Sequence, residues 1–165
     1  MLDKISEFAK KYNMLPNGST VICGLSGGAD SVCLTVCLKM LSEKLGINVE
    51  AVHVNHCIRG NESDRDEQFC RELCKKLDVR LTVFRCDVPA FAKEHSASLE
   101  ESARTMRYEA FRSCSEGKII ATAHNANDNL ETALFNLARG SGLKGISGIP
   151  PVKQSVPLQK QEHHI

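Results

Sequence analysis

The sequence predicts an α/β fold in which a parallel sheet is wound by helices on both faces, and three observations predict it. Short apolar runs of strand length recur along the chain. Segments with helical spacing of apolar residues separate them. A glycine-rich turn sits directly between the first apolar run and the first long helical segment. Parallel strands joined by helical crossovers are buried on both faces, so they appear as continuous apolar runs rather than as an alternation.

Ile5, Phe8, Ala9 and Tyr12 recur at helical spacing ahead of Pro16-Asn17-Gly18, which gives an N-terminal helical segment over 1–18. Strands are expected at Val21–Leu25, Val49–Val54, Val79–Cys86 and Lys118–Ala123. Helices are expected at Ser31–Leu45, Asp64–Leu77, Leu99–Cys114 and Asn127–Ala138, with Phe69, Leu73 and Leu77 along one side of the second. The glycines from Gly140 to Gly148 and the pair Pro150-Pro151 mark the exit from the sheet. A mildly basic tail over 152–165 follows, since no acid occurs between Lys144 and Lys160.

At 165 residues, 42% hydrophobic and 25% charged, the chain is expected to form one globular domain. No apolar run reaches the roughly 18 residues of a membrane span, and the N-terminus carries acids within a helical pattern, unlike a secretory signal. A cytoplasmic protein with no membrane partner is expected. A net charge of +1 excludes a uniformly cationic surface, so nucleic-acid binding needs a local patch or a part outside this chain. The eight cysteines fall mostly in expected strands and helices and form no C-x-x-C. Cys33/Cys37 and Cys70/Cys74 each share a helix face, as core packing or as half a metal site.

Ser26-Gly27-Gly28-Ala29-Asp30-Ser31 has the chemistry of a phosphate-binding turn. Adjacent glycines let backbone N–H groups approach an anion with no Cβ between, and the helix N-terminus behind them carries about half a positive charge. Asp30 beside a polyphosphate makes sense when a divalent cation, Mg²⁺, bridges them. No lysine follows the glycines, so this is not the kinase-type phosphate loop. The second strand ends in Val52-His53-Val54-Asn55-His56, without the acid a dinucleotide ribose needs. The alternative is a plain strand-to-helix turn capped by Ser26 or Asp30.

Ligands of such sheets collect at the carboxyl ends of the strands, and three further segments belong there. His53-Val54-Asn55-His56-Cys57-Ile58-Arg59-Gly60 follows the second strand and offers His56 and Arg59. His124, Asp128 and Glu131, after the fourth strand, stand at i, i+4 and i+7 of a helix and share a face. Two carboxylates there can hold an amine or accept its proton; the alternative is that Asn125 or Asn127 caps the helix while the acids complement its dipole. Arg104 and Arg107, three apart in Glu100-Glu101-Ser102-Ala103-Arg104-Thr105-Met106-Arg107-Tyr108, either grip phosphate or pair with Glu100 and Glu101 on the surface.

In this order and spacing, S-G-G-A-D-S, H-V-N-H-C-I-R-G, E-E-S-A-R-T-M-R-Y, A-H-N-A-N-D-N-L-E-T and R-G-S-G-L-K-G-I resemble the tRNA(Ile)-lysidine synthetase family within the N-type ATP pyrophosphatases, over about residues 20–151. The resemblance implies an adenine nucleotide alpha hydrolase-like, Rossmann-like single domain over 19–151. It implies a reaction in which ATP, with Mg²⁺ on Asp30, adenylates the C2 oxygen of the wobble cytidine of tRNA(Ile) with a CAU anticodon. Pyrophosphate leaves, and the ε-amine of L-lysine then displaces AMP. Ser26, Gly27, Gly28 and Ser31 would hold the phosphates. Asp128 and Glu131 would bind or deprotonate the amine, and Arg104 would stabilise the adenylated state. His56, Arg59, Arg107 and His124 are further candidate contacts to substrate or phosphate, and a homodimer is one open assembly.

The chain differs from the family pattern at Asn127, where the family commonly shows a second acid, and at Val156, where it shows arginine. It is expected to be the catalytic domain alone, with the C-terminal tRNA-binding domains absent. Two other readings are a tRNA thiolase of the same superfamily, with Cys57 as the one cysteine suitably placed, and an ATP-binding module without complete catalysis.

Overall fold

The structure is a computed structural model that describes residues 2–123. Four strands and five helices alternate in it: α1 (Leu2–Lys11), β1 (Thr20–Gly24), α2 (Ala29–Leu45), β2 (Asn48–Asn55), α3 (Asn61–Leu77), β3 (Arg80–Arg85), α4 (Val88–Glu94), α5 (Leu99–Cys114) and β4 (Ile119–Ala121). All pairings are parallel, in the order β3-β2-β1-β4. The α/β class and the parallel sheet match the expectation. The helix expected at Asn127–Ala138 and the tail over 152–165 lie outside the described residues.

The sheet divides its side chains by alternation. Val21 and Cys23 of β1 pack against Leu38, Leu41 and Leu45 of α2, while Ala51 of β2 meets Cys70 and Cys74 of α3. On the opposite face, Ile22 and Val52 pack on Phe111 of α5. Register explains this division, because Cys23 pairs with Ala51 and Gly24 with Val52, so one parity serves each face. Val21, Ile22 and Cys23 are fully buried, as expected of a central parallel strand.

Gly24 is required by this packing. A Cβ there would lie 2.8 Å from Cζ of Phe111. At the far end of α2, Gly46 closes the helix in the left-handed conformation at φ 63°, and its N–H returns to Glu43.

Three local expectations change. Phe69 is exposed at 46%, while Leu73 and Leu77 pack half-buried against the core beside the buried Glu67, Cys70 and Cys74. These cysteines act as small core residues, and their burial raises both thiol pKa values. The third strand stops at Arg85, leaving Cys86 in the turn beyond it, where its N–H bonds the Asn55 carbonyl. Finally, α4 occupies a stretch with no expected element. Its signals were local: Asp87 accepts the Ala90 N–H at 3.0 Å and Pro89 occupies the first turn.

Candidate functional site

The carboxyl edge of the sheet gathers the turns after β1, β2 and β3. Chain direction reverses its lateral progress between β1 and β4: β1 to β3 advance one way, and β4 then lies on the other flank of β1. Such a switch point opens a crevice beyond the strand ends. The Ser26–Ser31 turn emerges on one side of it, and β4 delivers Thr122 and Ala123 at the same edge, since Ala121 pairs with Cys23. His124, Asp128 and Glu131 lie outside the described residues.

Gly27 adopts φ +94°, a conformation that side chains strain to reach. Gly28, at φ −73° and ψ 156°, is the N-cap of α2 and has no side chain with which to cap it. Its backbone suits any residue, and an added Cβ would meet only Ser26 Oγ, at 3.5 Å. Folding therefore does not explain this second glycine.

The two serines close a circuit inside the turn. Ser31 Oγ donates to the Gly28 carbonyl at 2.8 Å and accepts the Ser26 N–H at 3.1 Å. With its own proton so placed, it accepts from Ser26 Oγ at 3.0 Å, and Ser26 Oγ in turn accepts the Gly28 N–H at 3.3 Å. Ser31 is buried, while Ser26, Gly28 and Asp30 are exposed. The first helical bond is Val32 N–H to Gly28, so the amides of the opening turn precede the helical ladder and concentrate its positive end.

His53 steadies the entry to this turn. It is 3% exposed, and its Nδ1 donates to the carbonyl of Leu25 at 2.8 Å. That bond fixes the residue immediately before Ser26. His56 sits one turn further along, half-buried. Burial lowers its pKa, and the charge of Arg107 and the neighbouring His53 lower it further. A neutral imidazole is thereby favoured near pH 7.

The Arg107 charge is thus felt at the turn after β2. Arg107 shares a flank of α5 with Phe111, one helical turn later, and Arg104 lies seven residues before Phe111 on that same flank. Phe111 packs against the sheet, the Arg107 charge acts on His56, and Cys114 feels the charges of Lys118 and Glu50 near the amino end. The helix therefore runs antiparallel to the strands, with Arg104 further towards the carboxyl edge than Arg107. Neither arginine joins an ion pair among the described residues. Glu101 instead completes a capping box with Ser98, and the Arg104 guanidinium lies 5.6 Å from the Tyr108 ring centroid.

Arg59 is exposed, and its N–H donates to Ser63 Oγ at 3.3 Å. Cys57 is exposed and holds φ +52°. It is not the one cysteine at this edge, because Cys86 follows β3 there. All eight cysteines are free, and among the described residues no group of three or more His, Cys, Asp or Glu side chains is arranged to hold a metal. Cys33 and Cys37 lie 4.0 Å apart through sulfur on α2 without further ligands of that kind.

Sequence reasoning missed Glu67. It is 4% exposed and receives Arg71, Arg85 and Asn55 together. Burial alone would raise its pKa, but the hydrogen bonds from Asn55, Arg85 and Arg71 outweigh this and hold it at about 2. An acid on the apolar stripe of α3, in register with Cys70 and Cys74, was the available signal.

The family model for the PP-loop domain matches residues 2–162. Among curated relatives, the tRNA(Ile)-lysidine synthase of Caldanaerobacter subterraneus subsp. tengcongensis is 40% identical over 159 residues, which are 94% of this chain and 34% of the relative. That of Clostridium perfringens is 42% identical over 159 residues with the same coverage, and that of Parabacteroides distasonis 42% over 154 residues. The chain spans about a third of the length of the curated relatives it matches. Two solved structures share the fold. The U34-tRNA thiolase NcsA from Methanococcus maripaludis, described with its 4Fe-4S cluster, superposes with a TM-score of 0.62 at 21% identity, over 85% of this chain and 51% of that one. An NH3-dependent NAD synthetase from Campylobacter jejuni does so at 0.54 and 20%, over 81% and 57%.

Proposed function

We propose, since this chain belongs to the PP-loop domain family, that it binds ATP at Ser26–Ser31 and serves the adenylating step of lysidine formation on tRNA(Ile). The relatives' printed name supports the reaction, and membership of the PP-loop family supports ATP as its nucleotide. The observation that carries the reading is Gly28: a glycine that folding does not need, at the mouth of a helix N-terminus, on the crevice side of β1.

In this mechanism the amides of Gly27, Gly28 and the first turn of α2 hold the polyphosphate. A phosphate oxygen takes the place of Ser26 Oγ as acceptor for the Gly28 N–H, while Ser31 keeps the turn in shape. Asp30, a hard oxygen donor at the mouth of the turn, would hold Mg²⁺ there. The ion would supply charge neutralisation on the departing pyrophosphate. Arg104, with Arg107 and Arg59, faces the negative charge that develops as the cytidine C2 oxygen attacks the α-phosphorus. His56, neutral near pH 7, accepts a hydrogen bond at the same edge. Asp128 and Glu131 hold the ε-amine of L-lysine or take its proton before it attacks C2 and releases AMP, and His124 lies in the same segment. The free thiols accord with a reducing compartment, here the cytoplasm. No helix among the described residues is long and apolar enough to cross a membrane.

Incubating the whole chain with labelled ATP, Mg²⁺, tRNA(Ile) and lysine tests the reading through pyrophosphate release. Asp30→Ala is expected to lower that release by about 10²–10³-fold. Asp128→Ala is expected to stop lysine transfer and Cys57→Ser to leave it intact. Transfer that depends on Cys57 and not on Asp128 would replace lysine by a sulfur donor, and binding without pyrophosphate release would leave a nucleotide-binding module.

A further inference from the structure

The turn from Asn55 to Gly60 carries two residues at left-handed φ, Cys57 at +52° and Gly60 at +52°. Cys57 is not a glycine, so this conformation costs about 1–2 kcal/mol and needs an external hold. The hold runs through Asn55, which is 2% exposed. Its Oδ1 accepts the Cys57 N–H at 3.0 Å, and its Nδ2 faces only acceptors: Glu67 Oε2 at 3.0 Å, the Ser63 carbonyl at 3.4 Å and Asp64 Oδ1 at 3.4 Å. Those acceptors set which way the amide points, and the amide sets the turn.

Glu67 is the centre of the arrangement. Its Oε2 also accepts Arg85 Nε at 2.8 Å, and its Oε1 accepts Arg71 Nε and Nη2 at 3.0 and 2.9 Å. Arg85 extends the network to Asp64, 3.1 Å away. Arg85 pairs in register with Asn55, so β3, β2 and α3 each contribute one side of the brace. No bond in the proposed reaction uses Glu67, and a buried carboxylate is retained only where it is fully satisfied.

We infer that Glu67 is a positioning residue: through Asn55 it fixes the strained Asn55–Gly60 turn and so sets His56 and Arg59 at the carboxyl edge for the adenylation chemistry. The reactive role of that turn rests on the function proposed above; the brace itself does not. Removing partners that orient a reacting group changes activity by about 10–100-fold.

The test uses the whole chain and two variants. Glu67→Gln keeps the shape and replaces an acceptor oxygen by a donor facing guanidinium groups. Asn55→Ala keeps Glu67 and its arginines and cuts the link to Cys57. In either folded variant, hydrogen exchange at the Cys57 amide and alkylation of its thiol, mapped by mass spectrometry, are expected to accelerate while the Gly28–Val32 amides keep their rates. The Kd for ATP is expected to stay within about twofold as kcat for pyrophosphate release falls by about 10–100-fold. Unchanged exchange and alkylation at Cys57 in both variants would overturn the brace. A loosened turn with unchanged kcat would overturn its part in the reaction. If the unaltered chain releases no pyrophosphate, the proposed function fails while the Cys57 readouts still decide the brace.

Discussion

Two turns leave neighbouring strands at the same edge, and they are held in opposite ways. The Ser26–Ser31 turn is braced from within by two hydroxyls five residues apart and by the helix it opens, with His53 of β2 fixing its entry at Leu25. The Asn55–Gly60 turn is braced from outside, by a carboxylate twelve residues beyond Asn55 and an arginine from another strand. A self-braced turn can exchange internal bonds for bonds to a ligand without disturbing the sheet. A remotely braced turn keeps its shape only while its distant partners stay in place, which suits groups that must be presented rather than yield.

The sharpest way to break this contrast is to remove each brace and compare stabilities by denaturant unfolding. Glu67→Ala leaves the buried Asn55 amide short of its best acceptor and is expected to cost about 1–3 kcal/mol. Equal stability of variant and parent would mean that the network contributes nothing net. The pH dependence has a definite sign. The folded-state pKa of Glu67, about 2, lies below the ordinary value of 4.5, so its contribution is complete above pH 4.5 and is lost as pH falls from there towards 2. The gap between parent and Glu67→Ala should therefore narrow across that acid window and stay constant above it.

Ser31→Ala removes the inner brace. It is expected to cost less, about 0.5–1.5 kcal/mol, because the exposed partners Ser26 and Gly28 can turn to water. A larger loss than for Glu67→Ala would invert the comparison. The smallest effect concerns the contact between the second turn and α5. Arg107→Ala is expected to raise the pKa of His56 towards its ordinary value, read by NMR titration of the ring, with part of the depression persisting through burial and His53. No change would separate α5 from this edge.

The same contrast explains what was legible in the sequence. The first turn is encoded by six consecutive residues, so its glycines and the helix after it could be recognised directly. The parallel sheet was equally accessible, because apolar runs such as Val21-Ile22-Cys23 carry their burial in their own composition. The second turn was visible only as candidate side chains. Its brace joins Asn55, Glu67 and Arg85, and no local rule ties an acid on α3 to a strand-end amide. For the same reason the exposure of Phe69 is not legible, since spacing alone does not say which of two adjacent helix stripes meets the sheet. The seven residues of α4 are too few to show a helical period, although Asp87 and Pro89 mark its start. Arg104 and Arg107 were recognised as a pair, but packing of Phe111 against Gly24 is what carries their shared flank towards the edge.

The central claim is that Gly28 serves a bound polyphosphate and not the fold. Gly28→Ala separates the two, because its backbone already lies where alanine is at ease and an N-cap change of this kind costs under about 1 kcal/mol. Calorimetric titration of the whole chain with ATP and Mg²⁺, beside thermal unfolding of the same samples, should find one binding event in the parent. In the folded Gly28→Ala chain the affinity should fall by about tenfold or more, a difference of about 1.4 kcal/mol. Equal heats and equal affinity in parent and variant, or no heat in the parent, would contradict the account.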